Sequence, residues 1–172
     1  MTNITIATDI SNYIAQSTLT NIVSPRKLAF WKGSRYEGLA FAHPKQKGAA
    51  GERIVQDVCN SIDTDCTKAR NTGHDRIIEG IPTEIKSSFC NEDTEKYSFL
   101  QIRPAQDYEQ ILFVTIHPDF IHMYLMSKDI VYNLIDEGKI TPQHGGRGGN
   151  SGTFSYYVTE RRLLEDGAIP FV

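Results

Sequence analysis

Between Gly73 and Lys86 the chain allows little besides a tight β-hairpin. The run Gly73-His74-Asp75-Arg76-Ile77-Ile78-Glu79-Gly80-Ile81-Pro82-Thr83-Glu84-Ile85-Lys86 reads as two short extended segments joined by a turn at Glu79-Gly80. Successive side chains of a strand point to opposite faces. Thr83, Ile85 and Ser87 therefore share one face of the second segment, and Glu84, Lys86 and Ser88 the other. Asp75 then sits beside Glu84 and Lys86 at one end of the hairpin. Two carboxylates and an ammonium meeting there suit a hard divalent cation, with a charged group held over a metal-bound water. That is the chemistry of phosphodiester hydrolysis. The plainer reading of the same residues is a solvated edge pair with ion pairs across the strands.

The flanking sequence places this hairpin in a larger order. Upstream, Lys47-Gly48-Ala49-Ala50-Gly51-Glu52-Arg53-Ile54-Val55-Gln56-Asp57-Val58-Cys59 reads as a helix entered through glycine and small residues. Ile54, Val55, Val58 and Ile62 recur at helical spacing and give it an apolar face. Downstream comes the segment Phe99-Leu100-Gln101-Ile102-Arg103-Pro104. Gln110 to Ile116 then reads as a fully buried strand, with Phe120 to Met126 as its hairpin partner.

This order resembles the catalytic core of the PD-(D/E)xK nucleases, the superfamily that contains most type II restriction endonucleases. Asp75 matches the family's aspartate and Glu84-Ile85-Lys86 its acid-x-Lys triplet, while His74 stands where the family has a proline. Glu52 matches the acidic residue that the family commonly sets on a helix against the catalytic sheet. Gln101 and Arg103 resemble a polar pair that some members carry on or after the strand following the lysine. The resemblance covers about residues 47–126 of the 172.

It implies an α/β domain with a central mixed β-sheet flanked by helices, restriction-endonuclease-like; a chain of 172 residues is most simply one domain, so residues 1–172 read as a single nuclease domain. It further implies Mg²⁺ held by Asp75, Glu84 and the backbone carbonyl of Ile85, with Glu52 as a second-metal ligand or a positioner of Lys86. Lys86 would orient the attacking water. The implied activity is Mg²⁺-dependent type II restriction cleavage of double-stranded DNA, with a homodimer matching a palindromic site. Two alternatives stand beside it. One is a Holliday-junction resolvase or repair nuclease of the same superfamily, and the other a non-catalytic DNA-binding domain whose carboxylates are structural.

Composition narrows the setting. No apolar run approaches a membrane span, and the polar start Met1-Thr2-Asn3-Ile4-Thr5 has no basic and apolar signal-peptide regions. Cys59, Cys66 and Cys90 are odd in number and lack metal-ligand spacing, which reads as free thiols in a reducing cytoplasm. A net charge of −3 argues against indiscriminate coating of nucleic acid. Yet Ser24 to Arg53 holds seven basic residues (Arg26, Lys27, Lys32, Arg35, Lys45, Lys47, Arg53) against Glu37 and Glu52. That local surplus can meet phosphates, or be a solvated loop.

The remaining elements are read by their punctuation. Residues 8–22 read as a helix capped by Thr8 or Asp9, and 24–46 as irregular, with Trp31, Phe30 and Tyr36 as hydrophobic anchors. Ser127 caps a helix ending near Gly138. Phe154 to Val158 reads as a strand, and Thr159 caps a last helix through Leu164. Between them, residues 141–153 hold five glycines in the eight positions 145–152, alongside Gln143, His144, Arg147, Asn150 and Ser151. Those side chains read base edges or grip phosphates, so the segment is either a DNA-recognition loop ordered by its partner or a mobile connection.

Overall fold

The computed structural model describes residues 23–70, 73–143 and 152–171. The helix expected over 8–22 lies outside these residues, as do His144, Arg147, Asn150 and Ser151.

Residues 24–46, expected as irregular, contain two short helices, α1 (Pro25–Trp31) and α2 (Glu37–Ala40). The signal was local: Ser24 accepts the backbone N–H of Lys27 while Pro25 occupies the first helical position, where its missing N–H costs nothing. Trp31 is fully buried, and Phe30 and Tyr36 pack partly buried against the same core, so the aromatic residues of this segment are its anchors. Helix α3 (Pro44–Ser61) begins ahead of the expected Lys47, because His43 and Gln46 close a reciprocal capping box in front of Pro44. Its buried face is Gly51, Val55 and Cys59, four residues apart. Ile62, expected on that face, lies past the helix and is 42% exposed.

The hairpin forms where the sequence placed it. Strand β2 (Arg76–Ile78) turns through Glu79 (φ 50°) and Gly80 (φ 78°) into β3 (Ile81–Phe89). Two consecutive left-handed residues are what a two-residue type I′ hairpin demands. A short strand not foreseen in the sequence, β1 (Cys66–Lys68), extends the sheet beyond β2. On its other side β3 runs parallel to β5 (Gln110–Ile116), which pairs antiparallel with β6 (Ile121–Ser127).

Before reaching β5 the chain leaves this sheet to form β4 (Tyr97–Ile102). After β6 come α4 (Lys128–Asp136), β7 (Thr141–Pro142), β8 (Phe154–Val158), α5 (Glu160–Glu165) and β9 (Ile169–Pro170), the last adding an edge to β6. The result is a six-stranded mixed sheet, β1-β2-β3-β5-β6-β9, and a three-stranded sheet, β4-β8-β7. The fold is α/β with a central mixed sheet flanked by helices.

Two layers enclose β5, which explains why its run is apolar but for Thr115. Ile111 to Ile116 are all buried. On one face the main sheet meets α3 and α1: Gly51 packs against Ser87, and Trp31 meets Phe89 edge-on at 5.6 Å between ring centres. On the other face it meets the small sheet, where Phe113 lies 4.6 Å from Phe99 and 6.0 Å from Tyr156. A strand covered on both faces has no polar face to present.

Candidate active site

Strand β3 is much longer than β2, and this mismatch makes the site. Their pairing runs only from Arg76↔Thr83 to Ile78↔Ile81, so β3 from Glu84 onward has an open edge on that side. Asp75 closes the start of this edge. Its backbone N–H donates to the Thr83 carbonyl at 3.2 Å, and its carboxylate Oδ2 accepts the N–H of Ile85 at 2.8 Å. In extended backbone the N–H and C=O of one residue point the same way, so the Ile85 carbonyl faces the same open edge. Continuing the register, Asp75 stands opposite Glu84.

Glu84 and Lys86 lie on the face that looks toward the small sheet, next to Ile111 and Phe113 of β5. Lys86 Nζ is 2.7 Å from Glu84 Oε1, and the side chains are only 16% and 8% exposed. Burial pushes the Glu84 carboxyl above its ordinary range; Lys86 draws it back down, and Asp75, within hydrogen-bonding reach, raises it again. A buried charge pair of this kind gains Coulomb energy only against a large desolvation cost, so it is poor evidence of a purely stabilising role. The strand thus gathers Asp75, Glu84, Lys86 and the Ile85 carbonyl at one point.

Glu52 takes a different place. Its Oε2 lies 3.5 Å from Arg76 Nη2. Arg76 pairs across the hairpin with Thr83, hence shares the face that α3 covers, opposite to that of Glu84. Among the described residues no group of three His, Cys, Asp or Glu side chains is placed to hold a metal ion. Two carboxylates with a backbone carbonyl nonetheless fit Mg²⁺ by donor chemistry. All three are hard oxygens, and Mg²⁺ keeps several waters and takes only one or two carboxylates from a protein. Burial is what chiefly raises the Glu84 carboxyl, with Asp75 adding to it against the pull of Lys86, and a divalent cation held there would favour the charged form of both carboxylates.

The open edge of β3 floors a cleft of about 610 Å³ between the start of α3 and strand β4. One wall carries Lys27, Lys45 and Lys47, and Lys86 rises from the floor; among the described residues none of the lining is acidic. Burial and the charge of Lys27 both hold the Lys47 ammonium below the ordinary lysine value, and its Nζ sits 4.9 Å from the centre of the Phe89 ring. Cations pressed together without carboxylates suit an anionic partner. The other wall carries Ser98, Leu100 and Gln101. Ser88 Oγ accepts the N–H of Ser98 at 2.7 Å and ties that wall to the floor.

Of the remaining candidates, Gln101 lies on the cleft, whereas Arg103 is exposed just past the end of β4. Gln143 is half-buried and its Oε1 accepts the N–H of Gln101 at 2.8 Å. His74 is buried and its Nδ1 lies 2.7 Å from the Asp107 carbonyl, fixing the approach to Asp75. Nothing in the local sequence announces that tertiary bond.

No protein-family model and no curated protein matches this sequence. Among solved structures, the chain is similar to a bacterial homing endonuclease, I-Ssp6803I. The match covers 70% of this chain and 78% of that one, with 15% identity and a TM-score of 0.45.

Proposed function

We propose that this protein is a Mg²⁺-dependent endodeoxyribonuclease of the type II restriction kind, acting in the cytoplasm as a homodimer on double-stranded DNA. One observation carries the reading: Asp75, Glu84 and Lys86 meet at the end of an open strand edge that floors a cleft walled by Lys27, Lys45 and Lys47. A phosphodiester backbone is the polyanion that three lysines with no carboxylate partner among the described residues would draw across such an edge.

In this reading the three lysines hold phosphates and set the strand's path. Asp75, its carboxylate oriented by the Ile85 N–H, joins Glu84 and the Ile85 carbonyl as the oxygen donors for Mg²⁺. When bound, the ion supplies a lowered pKa for water and neutralises charge that grows on the phosphate. Lys86, held by Glu84, is aimed at the same point; it orients the attacking water and steadies the pentavalent transition state as a point charge. Water oxygen bonds to phosphorus as the bond to the 3′ oxygen breaks. The water gives up a proton to solvent, the 3′ oxygen takes one, and the ends are a 5′-phosphate and a 3′-hydroxyl. Glu52 serves by holding Arg76, which donates to the Asp75 carbonyl at 3.1 Å and so steadies the approach to the site.

The test is cleavage of supercoiled plasmid by the parent and by Lys86→Ala, with Mg²⁺ present. Loss of cutting is expected in a variant that still unfolds cooperatively, with a midpoint lowered at neutral pH because the buried Glu84 loses its partner. Full activity of a folded Lys86→Ala would overturn the assignment.

A further inference from the structure

Gln101 holds a backbone conformation that a strand does not ordinarily contain. Its φ is +56°, in the left-handed region that disfavours a residue with a Cβ. The three other non-glycine residues of this kind among those described, Asp63, Glu79 and Glu95, lie in or beside turns, where such φ values are needed. Gln101 alone lies within a strand. The pairing of β4 with β8 breaks its register between Phe99 and Ile102, the mark of a β-bulge. A bulge re-aims side chains, and bulges gather beside functional sites.

The distortion is braced from outside. The Gln101 N–H has no place in the ladder and donates to Gln143 Oε1 at 2.8 Å. Gln143 is itself anchored, its N–H donating to the Thr153 carbonyl at 2.9 Å. The effect is to hold the exposed Gln101 side chain on the cleft wall that faces the lysines. Strain of this kind persists only where surrounding structure maintains it, and it collects at functional sites.

We infer that Gln101 is a specificity-determining residue that reads a base edge of the strand held in the cleft, and that Gln143 is its positioning residue. The division of labour follows from the two walls. Lysines take the phosphates on one side; an uncharged side chain with both a donor and an acceptor faces them from the other, and such an amide pairs in bidentate fashion with adenine. The inference rests on the nuclease reading above.

The experiment compares the parent with Gln101→Gly, Gln143→Ala and Gln143→Glu on plasmid DNA with Mg²⁺, reading cut positions by end-sequencing, kinetics, and the thermal midpoint. Gln101→Gly relieves the left-handed strain, so its midpoint should equal or exceed the parent's. Its KM should rise about tenfold with kcat nearly unchanged, because the lost contact is made equally before and during the reaction. Its cuts should relax at one base position. Gln143→Ala should relax the same position, and Gln143→Glu, which keeps the accepting oxygen, should restore the parent's pattern. An unchanged cut pattern, or loss of activity only in step with loss of folded protein, would overturn the inference. A smear from the parent would also overturn it, while leaving the nuclease reading in place. No cleavage by the parent would remove both.

Discussion

Replacing Asp75 by asparagine and by alanine separates chemistry from folding at one residue. The Asp75 carboxylate does two things: it accepts the Ile85 N–H at 2.8 Å, and it crowds the buried Glu84 with a second negative charge. A hydrogen bond to a charged group contributes about 1.5–3 kcal/mol, and a neutral one roughly half of that. Asparagine keeps an oxygen for the N–H, so it forgoes about 1 kcal/mol while relieving a repulsion of similar order. Asp75→Asn should therefore unfold within about 1 kcal/mol of the parent in urea. Asp75→Ala leaves the Ile85 N–H without its acceptor and should be about 1–2 kcal/mol less stable than the asparagine variant. Both lose an oxygen donor at the site, and plasmid cleavage in Mg²⁺ should fall on the order of a hundredfold or more in each. Equal destabilisation of the two variants would refute the hydrogen-bond argument, and undiminished cutting by Asp75→Asn would refute the role in catalysis.

Further outcomes follow from the same contacts. In Lys86→Met the Glu84 carboxyl loses the charge that draws it down, so its titration by carbon NMR should move to higher pH than in the parent. Because the folded pKa lies above the unfolded one, the native state binds the extra proton. Glu84 therefore penalises the fold above its folded pKa, and the penalty is relieved as pH falls from there toward the unfolded value; Lys86→Met should steepen that gain in urea midpoint. Gly51→Ala would set a Cβ 2.6 Å from Ser87 Cβ, so overpacking should outweigh the better helix propensity and cost about 1–3 kcal/mol in chemical denaturation. Ser87→Gly in the same chain should recover most of it. Replacing Lys27, Lys45 and Lys47 by alanine should weaken DNA binding measured by anisotropy and flatten its salt dependence by about 0.9 in slope per lysine.

The parts of the fold legible in the sequence are those with their own local pattern. Glu79-Gly80 announced a hairpin because two left-handed residues are costly anywhere else, and the run Ile111 to Ile116, apolar but for Thr115, required cover on both faces. Ser127 and Thr159 announced helices through the N–H groups they accept, from Ile130 and Arg162. Strands β1 and β9, of three and two residues, exist through pairing alone and have no pattern long enough to read. The separate sheet β4-β8-β7 joins segments far apart in sequence, which periodicity within one segment cannot reveal.

At the site, alternation along β3 was enough to bring Glu84 and Lys86 to one face. It could not show that Glu52 meets Arg76 on the opposite face, because that depends on how α3 rotates against the sheet. Nor could it show that Lys27, Lys45 and Lys47, visible as a basic surplus, converge on the cleft of Lys86.

The most direct measurement is incubation of the purified protein with unmethylated plasmid and phage DNA, in Mg²⁺ and in EDTA, followed by gel electrophoresis. The account predicts discrete fragments in Mg²⁺ and intact DNA in EDTA. Intact DNA in both, from folded protein, would contradict it.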